Sequence, residues 1–123
     1  MADILIVEDE KLLNEAYELV LKNEGYKVAT AYNGDDALKK TAGQEFDLIL
    51  LDLRMPKMDG VEFLKRYNPK KDHPKVKIII FSNYDDQDEV NQAMENGATR
   101  YILKAWSSPK ELIKLVKDTL ADK

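Results

Sequence analysis

The most constraining stretch of the chain is Phe46-Asp47-Leu48-Ile49-Leu50-Leu51-Asp52-Leu53-Arg54-Met55-Pro56-Lys57-Met58-Asp59-Gly60. Four consecutive apolar residues, Leu48 to Leu51, read as a strand buried on both faces, the pattern of parallel sheets. The run stops at a carboxylate, Asp52. In an open α/β sheet, ligands and chemistry collect where the strands end. An acid held there sits rigidly at the rim of the core, which makes Asp52 the candidate reactive group.

The rest of the chain supplies the sheet that this strand needs. Ile4–Val7 is a strand-type run ending in Glu8-Asp9, and Lys27–Ala31 is a weaker strand. Val76–Phe81 leads to Ser82, and Arg100–Leu103 leads to Lys104. Helical patterns lie between them. Leu12, Leu13, Ala16, Leu19 and Val20 fall on one face, with Gly25 as the stop. Asn33 caps a short helix through Ala37 and Leu38 to about Ala42, with Asp36 near its positive end. A third helix covers Val61, Phe63 and Leu64. A fourth runs from Asp86 to Asn96 on a thin stripe of Val90, Ala93 and Met94, and Gly97 ends it. Ser108, Pro109 and Glu111 open a last helix whose stripe is Leu112, Ile113, Val116 and Leu120. Asp9 is also a candidate cap for the first helix. The segment from Asn68 to Lys75, with two prolines and three lysines, reads as a surface loop, and its His73 as a solvated bystander. Strands separated by helices require crossovers, so the expected fold is α/β, a doubly wound parallel sheet covered on both faces. At 123 residues it is read as one domain, residues 1–123.

Composition narrows the chemistry by exclusion. Zero cysteines remove disulfides and thiolate catalysis, and the single histidine removes multi-histidine metal sites. No apolar run reaches the roughly 18 to 20 residues of a membrane span, and the N-terminus lacks a signal peptide, so a cytoplasmic protein is expected. A net charge of −4 argues against direct nucleic-acid binding.

Four strands therefore end in Glu8-Asp9, Asp52, Ser82 and Lys104, and a parallel sheet brings those ends to one edge. Three clustered carboxylates repel one another unless a cation sits among them. Mg²⁺, which uses one or two carboxylates plus substrate phosphate, is the natural neutraliser. Lys104 supplies a point charge and Ser82 a hydroxyl, both suited to phosphoryl oxygens. Together they describe phosphoryl transfer onto an aspartate. Taken singly, Ser82 is an ordinary turn residue, Lys104 a solvated lysine and Asp52 a turn-capping acid. Their shared position raises them.

On Glu8-Asp9, the block from Asp52 to Gly60, Ser82, Tyr101 and Lys104, the chain resembles the receiver domains of two-component response regulators along nearly its whole length. The intervals agree: 43 residues from Asp9 to Asp52, 30 to Ser82 and 22 more to Lys104. The resemblance implies a flavodoxin-like (βα)5 fold with strand order 2-1-3-4-5. It implies that Asp52 accepts a phosphoryl group from a phosphohistidine on a sensor histidine kinase or phosphotransfer protein. Asp9 and Asp52 would bind Mg²⁺ with the backbone carbonyl of Arg54 and, through water, Glu8. Lys104 and Ser82 would take phosphoryl oxygens. Tyr101 would change rotamer with Ser82, altering the face of helix four, strand five and helix five for a downstream protein effector.

The chain departs from the family pattern opposite Asp52. Ala105 stands where a cis proline is usual, and a non-proline cis bond costs about 2.5 to 4 kcal/mol, so a trans bond is expected. Arg54, Asn83 and Tyr84 are read as tuning the lifetime of the phosphorylated state. Thr99-Arg100 replaces an acidic pair used in dimerisation, leaving a monomer or weak dimer. Trp106 stays open between shielding the site, mediating a contact and packing on the last helix. The leading reading is a stand-alone switch, not an enzyme in the ordinary sense. The alternatives are a Mg-dependent aspartyl-phosphate phosphohydrolase, although Arg54 occupies the place of its second acid, a phosphorylation-independent interaction module, and the receiver portion of a longer regulator.

Overall fold

The computed structural model describes residues 2–83, 86–106 and 108–122, the side chain of Trp106 excepted. The strands are β1 (Asp3–Val7), β2 (Lys27–Ala31), β3 (Leu48–Asp52), β4 (Lys77–Ser82) and β5 (Arg100–Leu103). They pair in parallel in the order β2-β1-β3-β4-β5. All five residues of β3 are buried, as expected of a central strand covered on both sides. The register sets Val7 beside Leu51, Asp52 beside Phe81 and Ser82 beside Leu103. The polar residues that terminate β1, β3, β4 and β5 thus lie along one edge.

Helices fill both faces. Helices α1 (Lys11–Asn23) and α5 (Pro109–Ala121) cover Ile4, Ile6, Leu48, Leu50, Ile79 and Phe81 with Tyr17, Leu21, Leu112 and Val116. Helices α2 (Gly34–Gly43), α3 (Gly60–Tyr67) and α4 (Gln87–Glu95) close the opposite face over Leu5, Val7, Ile49, Leu51, Ile78 and Ile80. The helix ends follow local chemistry. Asn33 and Ser108 accept from the backbone amides of Asp36 and Glu111, and Asp59 accepts from Glu62. Gly25 and Gly97, past the ends of α1 and α4, take positive φ of 94° and 109°. Among the described residues no helix is long and apolar enough to cross a membrane.

Five local expectations are corrected. The buried face of α1 is Leu13, Asn14, Tyr17 and Leu21, while Leu12 and Leu19 are 83% and 62% exposed. The face is turned because Tyr17 stacks on Phe81 at 5.0 Å and Asn14 donates to the carbonyls of Glu8 and Ala31. Asp9 does not cap α1; Glu10 holds that position and makes no side-chain cap bond. The stripe of α4 is thinner than the sequence suggests, because Met94 is exposed and only Val90 and Ala93 are buried. Finally, Pro69–Asp72 forms a helical turn rather than open loop. His73 beyond it is no bystander: it stacks on Tyr67 with ring centroids 4.1 Å apart and pairs with Glu45 at 2.6 Å.

Candidate functional site

The site is built where β1, β3, β4 and β5 end. Asp52 closes β3 and is 2% exposed. Its Oδ2 accepts from the Lys104 ammonium at 3.0 Å, and its Oδ1 accepts weakly from the Arg54 amide at 3.4 Å. Lys104, carried by the 3₁₀ turn Lys104–Trp106 that follows β5, also reaches Glu8 Oε1 at 3.1 Å. That contact is an ion pair rather than a well-angled hydrogen bond, since Glu8 Oε1 has no hydrogen-bond partner. Glu8 is fully buried; its other oxygen accepts from the Glu10 amide at 3.1 Å.

One lysine thus serves two buried carboxylates, with the exposed Asp9 alongside. The ligand atoms of Glu8, Asp9 and Asp52 lie within 4.8 Å of one another, the one such acidic group among the described residues. Burial, reinforced by the charge of Asp52, pushes the Glu8 carboxyl up to about 7 against the pull of the Glu10 amide and Lys104. Burial likewise raises Asp52 above the usual carboxylate range, opposed chiefly by its hydrogen bond to Lys104. Burial works to lower Lys104, yet the hydrogen bond and charge of Asp52, with Glu8, hold it above its ordinary value. Carboxylates in excess over cations, all with oxygen donors, fit a hard divalent ion, and Mg²⁺ suits such a partly solvated cluster.

The loop after β3 is shaped around this edge. Gly60 donates its amide to Leu53 O at 2.9 Å, and a Cβ there would stand 2.6 Å from the backbone oxygen of Asp52. Lys57 turns the loop with a positive φ of 65°. The amide of Gly34, at the start of α2, donates to Met58 O at 2.9 Å and braces the loop from outside.

Opposite Asp52, Ser82 is buried at the end of β4, and Asn83 beyond it is exposed. Arg54 pairs with Asp86 at 2.6 Å and lies 3.6 Å from Glu89. Tyr101 on β5 is 51% exposed and outside the acidic cluster. Tyr84, read from the sequence as a tuning residue, lies outside the described residues, as does the side chain of Trp106. The described peptide bonds include no cis bond, so Lys104-Ala105 is trans as expected. Two participants escaped sequence reasoning. Asn14 ties the ends of β1 and β2 from a helix position outside the expected apolar stripe, and Asp86 entered the sequence reading only as the start of the fourth helix. Neither carries a motif that would have singled it out.

Comparison with known proteins agrees with this geometry. A sequence profile described as the response regulator receiver domain matches residues 4–117. The chain is 37% identical over 117 residues to the transcriptional regulatory protein ResD of Bacillus subtilis, covering 95% of this chain and 47% of ResD. It is 38% identical over 102 residues to the transcriptional regulatory protein ZraR of Klebsiella oxytoca, 83% of this chain and 23% of ZraR. The chain therefore spans half or less of the length of these curated relatives. Among solved structures, a CheY-like response regulator receiver domain protein from Methanospirillum hungatei superposes with a TM-score of 0.89 at 29% identity, over 98% of this chain and 94% of that one.

Proposed function

The chain belongs to the response regulator receiver domain family of two-component systems, and from that premise we propose that it is a phosphoacceptor signalling switch whose reactive group is Asp52. The observation that carries the proposal is the pairing of buried Asp52 with Lys104 at 3.0 Å inside a carboxylate cluster 4.8 Å across. In this reading a carboxylate oxygen of Asp52 attacks the phosphorus of a phosphohistidine on a kinase or phosphotransfer protein. The phosphorus–nitrogen bond breaks, and the imidazole leaves with its electron pair. Asp9, Asp52 and the Arg54 carbonyl, with Glu8 through water, would hold Mg²⁺, which when bound would offset charge on the transferring group. Lys104 is already aimed at the place where the phosphoryl oxygens develop charge, and Ser82, across the β4–β5 ladder from Leu103, offers a hydroxyl to another.

The output is a change of surface. A phosphoryl group adds roughly 1.5 to 2 negative charges and strong acceptors beside Lys104 and Ser82. The thin apolar anchoring of α4, through Val90 and Ala93, supports a role for α4, β5 and α5 as the responsive face, with the exposed Tyr101 as its reporter. Arg54, Asn83 and Tyr84 are assigned to the lifetime of the modified state.

Labelling by acetyl phosphate with Mg²⁺ tests the proposal. Wild type should take up about one phosphoryl group per chain, and Asp52→Ala none. Turnover of external phosphomonoesters without stable labelling would mean a phosphohydrolase instead. Partner binding indifferent to labelling would mean a phosphorylation-independent module.

A further inference from the structure

Asp86 precedes α4 and is 1% exposed, yet its side chain makes no cap bond to that helix. Its two oxygens instead join two different loops. Oδ2 accepts from the Asn83 amide at 2.7 Å, and Oδ1 lies 2.6 Å from the Arg54 guanidinium. The Asp86 amide in turn donates to Asn83 O at 3.2 Å, which closes the β4–α4 turn on itself. Oδ1 has no well-angled hydrogen bond, so its hold on Arg54 is mainly charge. Burying a carboxylate is unfavourable without such partners, so the pair and the amide contact are what hold Asp86 in its buried place.

The two loops are the ones that flank the reaction. Arg54 follows Asp52 by two residues, and its amide already touches Asp52 Oδ1. Asn83 directly follows Ser82. The side chain of Arg54 is about half exposed, with Glu89 as a second, longer partner, so it has room to turn, whereas Asp86 does not. A phosphoryl group on Asp52 would present more charge than one carboxylate, and several oxygens in the geometry that a guanidinium grips best.

Building on the phosphoacceptor reading, we propose that Asp86 is a positioning residue for the phosphoryl reaction. It holds Arg54 away from Asp52 in the unmodified protein, and a phosphoryl group on Asp52 draws Arg54 off it. The departure removes the counter-charge from a buried acid that also anchors the Asn83 turn. Occupancy of Asp52 is thereby coupled to the start of α4 by a route separate from Ser82 and Tyr101.

The test is a double-variant cycle on the rate of acetyl phosphate labelling with Mg²⁺, in wild type, Asp86→Asn, Arg54→Gln and the pair. Asp86→Asn keeps an acceptor for the Asn83 amide but removes the charge that holds Arg54. Its labelling should quicken about two- to fivefold, the scale of a half-exposed ion pair, and the gain should vanish in the Arg54→Gln background. An equal gain in both backgrounds, or none in the first, overturns the inference while labelled Asp52 leaves the phosphoacceptor reading standing. A wild type that takes no phosphate overturns both. A measurement on unaltered protein guards against misfolded variants. Beryllofluoride with Mg²⁺, a phosphoryl mimic, should shift the Arg54 Nε–H and Asn83 amide resonances together. A site that binds the mimic with an unmoved Arg54 signal overturns the inference.

Discussion

At the scale of single residues the site is a charge imbalance held in place by its neighbours. Glu8 and Asp52 are both buried, and Lys104 alone among the basic residues paired with them offsets two carboxylates. Burial raises both the Glu8 and the Asp52 carboxyls, and the charge of Asp52 adds to the rise at Glu8. Asp52→Asn keeps the shape and an acceptor for Lys104 while removing one charge, so Glu8 and Lys104 become a matched pair. In metal-free buffer this variant should be more stable than wild type, by roughly 1 kcal/mol, the worth of a single-unit relief in one carboxyl. Urea midpoints at constant slope check it, and a variant less stable than wild type would mean that Lys104 depends on the Asp52 charge more than the cluster suffers from it. Asp52, Ser82 and Lys104 were legible in the sequence because each follows an apolar run. Asp86 was not, because nothing local distinguishes a buried acid from a solvated one when its partner, Arg54, lies 32 residues earlier.

At the scale of elements, what matters is how closely loops approach the end of β3. Gly60, the first residue of α3, packs against backbone: a Cβ there would meet Asp52 O at 2.6 Å and Leu53 Cα at 3.0 Å. Backbone cannot rotate away as a side chain does, so Gly60→Ala must displace the loop that carries Arg54. The expected cost is about 1 to 3 kcal/mol, the range of overpacking in a close-packed region, accompanied by slower acetyl phosphate labelling. Gly43→Ala is the matched control, since nothing lies within 4 Å of its would-be Cβ, and it should be neutral or slightly stabilising. Thermal melts and labelling rates of both variants decide the matter, and an unperturbed Gly60→Ala would refute the close approach. The five strands and two of the caps followed directly from the chain: β2 spans the expected Lys27–Ala31, and Asn33 and Ser108 cap where expected, although Asp9 does not. The face of α1 did not. The expected stripe held Leu13, which does pack on the core, but Leu12, Ala16 and Leu19 form as good a 3.6-residue stripe as Leu13, Tyr17 and Leu21, and hydrophobicity cannot choose between two stripes one residue apart. The tertiary partners Phe81 and the carbonyls of Glu8 and Ala31 chose.

At the scale of the whole molecule, the acidic edge and the two cores are one system, because β1, β3 and β4 carry side chains into the core on both faces and β5 adds Ile102 to one of them. An ion bound at the edge therefore stabilises the entire sheet, and unfolding with it should stay a single cooperative transition. Binding to the folded state alone adds about 1.4 kcal/mol of stability at tenfold excess over Kd, worth roughly 3 to 6 °C in Tm for a chain of this size. Mg²⁺ should therefore raise the Tm of wild type, and EDTA should reverse the rise. Matched ionic strength from NaCl should do much less, because Glu8 and Asp52 are shielded from mobile ions by burial. Asp52→Asn should lose most of the Mg²⁺ response while starting from a higher metal-free Tm, so the two melting curves converge as Mg²⁺ is added. Asp9→Asn should lose response with little change in the metal-free Tm, since Asp9 is exposed and its charge is already solvated. A wild type whose Tm ignores Mg²⁺, or a response undiminished in both variants, would remove the cation from the site and leave Lys104 as its counter-charge among the described residues. The opposite ordering of the two variants would place the ion nearer Asp9, at the solvent side of the cluster, than at the end of β3.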